Sequence, residues 1–364
     1  MTRRVARTCS QIRLPKTNAP QSMRYLVKIT TTFALALVFS AGMAFGQSND
    51  ASVTQDANRS DATITQTGQN NGADVTQKPG VYHEANVEQI GEGNDVDLRQ
   101  DNANTFTDVL QEGDGNQVDI FQRSRLFVGP GNVGASIDVD QNGNGNIVDI
   151  RQDASSGEGG SFTNKATVSQ NGDRNEAIIE QNRPVGPGGN VASIEQGNPV
   201  YTSSDNYAKI KQDGQNGSGN EASFSLKRGD DNDVRITQTG DQNYSEYSVA
   251  SGDGNDLDVT VEGTANRTRF SIDSDWGSFS SSNTLSVDKD GSSNYLTGSI
   301  KGSSNTVDVT QEGDGNRIGT SWHTNDGVSI VGDDNSATVT QMSDMNSASV
   351  TMNGNLNTAT ITQN

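Results

Sequence analysis

The amino-acid sequence predicts an all-β fold: a β-solenoid, or β-helix, of strand-turn units about eleven residues long, two per coil, stacked parallel and in register like an amyloid. Three observations predict it. Gln, Gly and Asn recur at a fixed beat, apolar residues alternate with polar ones before each Gln, and the composition is too polar for an ordinary core. Hydrophobic residues make up 30% and aromatics 5%, with 40 Gly and 7 Pro, whereas a compact globule draws on about 45–50% apolar residues. Disorder is the other outcome of such a composition, and it would show no sustained period.

The beat is clear in Ala62-Thr63-Ile64-Thr65-Gln66, followed by Gly68, Asn71, Ala73, Val75 and Gln77. It returns in Gln89-Gly91-Asn94, Gln111-Gly113-Asn116, Gln141-Gly143-Asn146, Gln170-Gly172-Asn175, Gln238-Gly240-Asn243 and Gln311-Gly313-Asn316. Lys227, Val261, Lys289, Ile300, Ile330 and Met352 stand in the Gln position of other units, with Gly and Asn still in phase. Gln341 and Gln363 carry the beat to the end of the sequence, where no capping segment is expected. Roughly two dozen units run from Gln55 to Gln363, well above the three or so a solenoid needs.

Each unit decodes physically. Period-two alternation is a strand, so Ala62, Ile64 and Gln66 share one face and Thr63 and Thr65 the other. Gly68 and the amides after it are the residue types that tolerate positive φ in tight turns. Stacking places each strand about 4.8 Å from its successor. Gln and Asn then form columns in which each amide bonds to its neighbours. Gln66, Asn71, Gln77, Gln89, Asn94, Gln111, Asn116, Gln141, Asn146, Gln170, Asn175, Gln238, Asn243, Gln311, Asn316, Gln341 and Gln363 are the expected ladder residues, structural and self-assembling in role.

Extra residues are expected after the units ending at Gln77, Gln122, Gln152, Gln181, Gln196, Gln212, Gln238, Ile272 and Gln311. Most follow odd-numbered units, so the longer loops, such as Arg123 to Asn132 and Asp153 to Asn164, would crowd one edge. That marks either a partner-facing edge or tolerated drift.

The first part of the chain reads as targeting sequence. Arg24 and Lys28 precede the apolar run Phe33 to Phe39, and Ala44-Phe45-Gly46 forms a cleavage triplet before Gln47. This is a secretory signal peptide over 23–46, with an apolar run too short to span a membrane as a helix. Residues 1–22 read as upstream leader with translation starting at Met23; a true long leader is the alternative. Residues 47–364 form the solenoid. Cys9 would be removed with the leader, leaving no disulfide, thiolate metal site or cysteine nucleophile.

The formal net charge of -20 excludes a nucleic-acid partner, which needs clustered Lys and Arg. Asp95, Asp97, Asp114, Asp119, Asp138, Asp140 and Asp149 sit in turns or on outward strand positions. They act as gatekeepers against premature association or as loose calcium turns. His83 and His323 read as solvated surface residues. Trp276, Trp322, Tyr244, Tyr247 and Tyr295 read as packing, with carbohydrate or surface adhesion as the alternative. No nucleophile elbow or phosphate loop appears, so the chain is not expected to be an enzyme and no cofactor is expected.

Gln66, Gly68, Asn71, Ala73 and Gln77 resemble the curlin-associated repeat of curli fibre subunits, and the resemblance covers nearly all of the chain after the signal peptide. It implies a secreted subunit on the surface of a Gram-negative bacterium, a functional amyloid of the biofilm matrix. Its implied partners are further copies of itself, other curlin-type subunits and a dedicated outer-membrane export pore; abiotic or host surfaces are possible contacts. The chain is long for such a subunit, lacks a clear Gly-rich export segment before Gln55, and has lost Gln mainly between Lys227 and Ile300. A monomeric, calcium-stabilised surface adhesin on the same solenoid is the alternative function.

Overall fold

The computed structural model describes residues 48–125, 135–155, 164–183, 189–198, 200, 202–214, 219–274, 279–319 and 326–364. The expected leader, signal peptide and Cys9 lie outside the described residues. So do His323, Trp276 and Trp322, and most of the two long insertions that follow Gln122 and Gln152.

Among the described residues every regular element is a strand. The strands alternate between two sheets, one of 13 strands and one of 14, joined only by parallel pairing. The first sheet begins with Asp50–Gln55, Gly72–Val81 and Asp95–Ala103 and ends with Thr358–Gln363; the second begins with Asp61–Gln69, Glu84–Glu92 and Phe106–Glu112. Successive coils stack in register: Ala73, Val75 and Gln77 stand over Val96, Leu98 and Gln100. This is the two-unit coil that the beat predicts.

Alternation sets the facing. In Lys165–Asn171 the buried residues are Ala166, Val168 and Gln170, and in Glu176–Arg183 they are Ala177, Ile179 and Gln181. The interior is therefore a set of columns: small or branched aliphatics in two slots and an amide in the third. Where the alternation and the Gln-Gly-Asn spacing disagree, alternation wins. Lys227 has the spacing of a slot residue but is exposed, and Leu226 occupies the slot, in register with Gln196. Ala222, Phe224 and Leu226 already define the inward face, so the surplus residue is absorbed in the turn. Likewise Val249 takes the slot opposite Leu226, and the extra residue expected after Gln238 falls after Val249.

Turns from the first sheet to the second carry the insertions after Gln77, Gln122, Gln152, Gln181 and Gln212; those after Gln196, Val249 and Ile272 lie on the opposite edge, and the one expected after Gln311 falls later, between Arg317–Ile318 and Val328–Val331 of the second sheet. The expected crowding thus holds for five of the nine insertions.

The amide ladders as the candidate site

In the N-terminal half glutamine fills the third inward slot of both sheets. In the first, Gln55 donates from Nε2 to Oε1 of Gln77 at 2.8 Å, and Gln77 to Gln100 at 2.9 Å. The same bond continues through Gln122, Gln152, Gln181 and Gln212 to Gln238. In the second, Gln66, Gln89, Gln111, Gln141, Gln170 and Gln196 form a second series with bonds of 2.9–3.0 Å. Every ladder bond points the same way, from Nε2 toward the following coil. The second amide proton reaches across the coil to a backbone carbonyl, as from Gln89 to Gly72 at 2.8 Å. Donor and acceptor are both used, which is why a fully buried amide is tolerated.

Asparagine forms two further ladders, one at each edge. At the turns leading from the second sheet to the first, the backbone N–H of Asn94 donates to Oδ1 of Asn71, and Asn116 to Asn94. The series continues through Asn146, Asn175, Asn206, Asn232, Asn255, Asn283, Asn305 and Asn335 to Asn357. Asn243 and Asn316 belong instead to the opposite edge, with Asn164, Asn190, Asn220, Asn266, Asn294 and Asn346. The expected residues are thus distributed over four columns. Asn164, Asn190, Asn206, Asn220, Asn255 and Asn283 escaped the spacing rule because insertions or extra turn residues precede them. Their signal is local: each stands one residue before a strand begins.

The glycine in each turn is set by coil stacking. Gly91 has φ +131, and a Cβ there would lie 1.9 Å from the carbonyl oxygen of Gly113 in the next coil. No side chain fits that approach.

The ladders break in the C-terminal half. From Leu226 the second-sheet column is apolar: Val249, Ile272, Ile300, Ile330 and Met352 follow in register. The first-sheet column passes from Gln238 to Val261 and Lys289 before resuming at Gln311. Where a ladder stops, the freed amide donor finds another acceptor: Gln238 donates to Ser245 Oγ at 2.9 Å and Gln196 to the Asn206 carbonyl at 3.1 Å. Where it restarts, the acceptor is stranded, and Gln311 Oε1 is buried without a partner. Lys289 is fully buried and donates to the Arg267 carbonyl at 2.7 Å; burial holds its ammonium well below the usual lysine range.

His83 corrects the expectation of a solvated histidine. It is 1% exposed because it occupies an Asn-ladder position, between Ser60 and Thr105 in successive coils. Its N–H donates to Ser60 Oγ, and Nδ1 lies 2.6 Å from Thr105 Oγ1. Desolvation lowers its pKa, against the opposing effects of the Lys78 and Asn102 carbonyls and the Asp101 charge. Tyr247 is buried between Phe224 and Phe270, which stand in register on either side. Tyr244 and Tyr295 sit on the outer face beside Arg267, also in register.

The acidic residues form stacks of their own. Asp74, Asp97, Asp119 and Asp149 stand in one outward column. Desolvation and the neighbouring carboxylates raise the carboxyls of Asp97 and Asp119. Desolvation, followed by Glu180, does the same at Asp149. Asp108 and Asp140 are raised too, chiefly by desolvation, with Asp138 contributing to both. Asp114 differs: its carboxylate accepts the Glu92 N–H in a turn. Among the described residues no three His, Cys, Asp or Glu side chains are grouped to hold a metal ion.

The ladder geometry is that of the Gln-Gly-Asn beat, and the beat matches a known repeat. The model of the curlin associated repeat fits residues 46–78, 229–263 and 332–364. The chain carries curlin associated repeats. Those matches sample the beginning, middle and end of the solenoid, and the Asn column from Asn71 to Asn357 runs through all three. No curated protein matches the chain. A curlin-repeat β-solenoid fits a curli-type structural subunit, and its buried polar residues are used in stacking.

Proposed function

We infer that this curlin-repeat protein is a secreted structural subunit that assembles end to end into extracellular amyloid-like fibres of a biofilm matrix, serving adhesion and cell aggregation. One observation carries the reading: the first-sheet ladder is complementary at its two ends. Gln55 donates onward, so its Oε1 is left to accept from a preceding amide, while Gln341 donates to Gln363, the last amide of the series. The Asn column follows the same logic. Asn71 donates its N–H back to Asn49 Oδ1 as Asn357 does to Asn335, so a following Asn49 would donate its N–H to Asn357 Oδ1. Among the described residues Asp50–Gln55 and Thr358–Gln363 each pair on one side only. An in-register strand edge is a template for another chain. Export through an outer-membrane pore and co-assembly with other curlin-type subunits belong to this reading.

The test dilutes the chain from Gln47 onward out of denaturant, with and without calcium, and follows thioflavin fluorescence and fibre diffraction. Seedable fibres with a meridional spacing near ~4.7 Å, indifferent to calcium, are expected. A monomer that folds only with calcium and never seeds would overturn the reading in favour of the calcium-stabilised adhesin.

A further inference from the structure

The two ends of the solenoid match in the first sheet and not in the second. At the N-terminal face the second-sheet slot holds Gln66. Its amide protons are committed to Gln89 Oε1 at 2.9 Å and to the carbonyls of Asp50 and Asn71 at 3.0 and 3.1 Å. What remains for a preceding coil is the acceptor, Oε1. At the C-terminal face the same slot holds Met352, stacked on Ile330. A thioether has no proton to donate.

We propose that the N-terminal face of this chain is built to receive a curlin-type subunit presenting glutamine in both ladder slots of its last coil, and that a second copy of the chain is a mismatched partner there. The inference rests on the end-to-end assembly proposed above. In a junction between two copies, Gln363 meets Gln55 and the first-sheet ladder continues. In the same junction Met352 of the preceding copy covers Gln66, and the Gln66 acceptor is buried with nothing to accept from. The molecule contains one such restart already: Gln311, whose slot follows Lys289, has an unpartnered buried Oε1. The converse mismatch arises at the C-terminal face, where an all-glutamine subunit would bring its own stranded acceptor onto Met352. The chain therefore joins a glutamine-laddered fibre by one face in preference to the other. It makes a better terminal member of a mixed fibre than a homopolymer.

The probe is the chain itself with the missing amide supplied. Met352→Gln gives a C-terminal face with glutamine in both slots, and Gln66→Leu gives an N-terminal face that suits Met352; the Gln89 acceptor that Gln66→Leu strands lies within the chain, so its cost is common to folded monomer and fibre. Sonicated seeds of each variant are elongated by wild-type or variant monomer, and the soluble monomer left at the plateau is measured. Met352→Gln monomer on its own seeds should leave about ten- to a hundred-fold less soluble chain than wild-type monomer on wild-type seeds, the usual effect of pairing one buried acceptor. Gln66→Leu monomer on its own seeds should show the same gain from the other side of the junction, which keeps the test alive if one variant folds poorly. The double variant sets an amide donor at position 352 against an aliphatic side chain at position 66, and should gain no more than either single variant. Additive gains in the double variant, or no gain in either single one, would overturn the inference while leaving end-to-end assembly intact. Absence of seeded growth in every combination would overturn both.

Discussion

The two halves of the solenoid solve one packing problem in two ways. Up to Gln196 the third inward slot is glutamine in both sheets, and each amide is bonded to the next. Beyond Leu226 the same slot of the second sheet holds only aliphatic side chains and a methionine, all buried. Register and the Asn columns are unchanged across the switch. The slot therefore asks for a column that is consistent with itself, polar or apolar, and the cost sits at the boundaries. A boundary that frees an amide donor is mild, since carbonyls and hydroxyls are close at hand. A boundary that strands an acceptor is worse, because the surrounding N–H groups are committed to the sheets.

Several substitutions test how far the two halves differ. The largest effect is expected where the halves agree. Gly91→Ala and Gly332→Ala each place a Cβ about 2 Å from a carbonyl oxygen of the next coil, 1.9 and 2.2 Å respectively. Each should cost roughly 3 kcal/mol or more in denaturant unfolding, regardless of which residue fills the third slot. Near-wild-type stability in the apolar half alone would mean that glycine is needed only where glutamines stack.

Next come exchanges of the slot residue. Gln141→Leu breaks the ladder between Gln111 and Gln170 and strands the Gln170 acceptor, at a cost of roughly 1–3 kcal/mol. Ile300→Gln buries an amide between Ile272 and Ile330 and should cost at least as much, since apolar contact is lost as well. If either exchange is silent, column consistency is not what the slot selects for.

Lys289 offers a gain. The folded chain keeps its amine uncharged well below the normal lysine range, whereas the unfolded chain takes up the proton. Stability should therefore rise as pH increases toward the unfolded pKa of about 10.4. Lys289→Gln should remove that slope, give Gln311 Oε1 a donor and raise the denaturation midpoint at pH 7. A lower midpoint with an unchanged slope would show that the amine is not held uncharged.

The smallest effect concerns His83. Its folded pKa is depressed, so its contribution is full above the unfolded value of about 6.5 and is lost as pH falls below it. His83→Asn puts into this position the side chain found in its column from Asn164 onward. The difference in midpoint between wild type and variant should widen from pH 8 to pH 5. A constant difference would place the imidazole in solvent.

Most of the architecture was legible in sequence because a solenoid repeats its own evidence. Ala62-Thr63-Ile64-Thr65-Gln66 states the inward face, Gly68 and Asn71 state the turn, and Gln77 states the period. Legibility failed where one residue too many enters a turn. Lys227 kept the distance to Gly229 and Asn232, yet Leu226 kept the phase of the strand, and burial of an alternating face outweighs turn spacing. His83 failed for another reason: position relative to a turn does not say which side of the backbone faces the stack. The aromatic column of Phe224, Tyr247 and Phe270 was hidden too. It follows Ile194 in register and ends at Gly298, where a Cβ would lie 2.3 Å from the Phe270 ring.

From sequence came the strand-turn unit, the two-unit coil and those stacking residues that keep the regular spacing, because period-two facing and turn chemistry are local properties of the chain. Only the tertiary structure decided which residues share a column, since an insertion changes how far apart in sequence two neighbours lie without changing which slot they fill. It also decided the direction of the ladders, the stranded acceptor of Gln311 and the burial of Lys289. Those depend on what the coils before and after place against a side chain, and the period of the sequence carries no record of that.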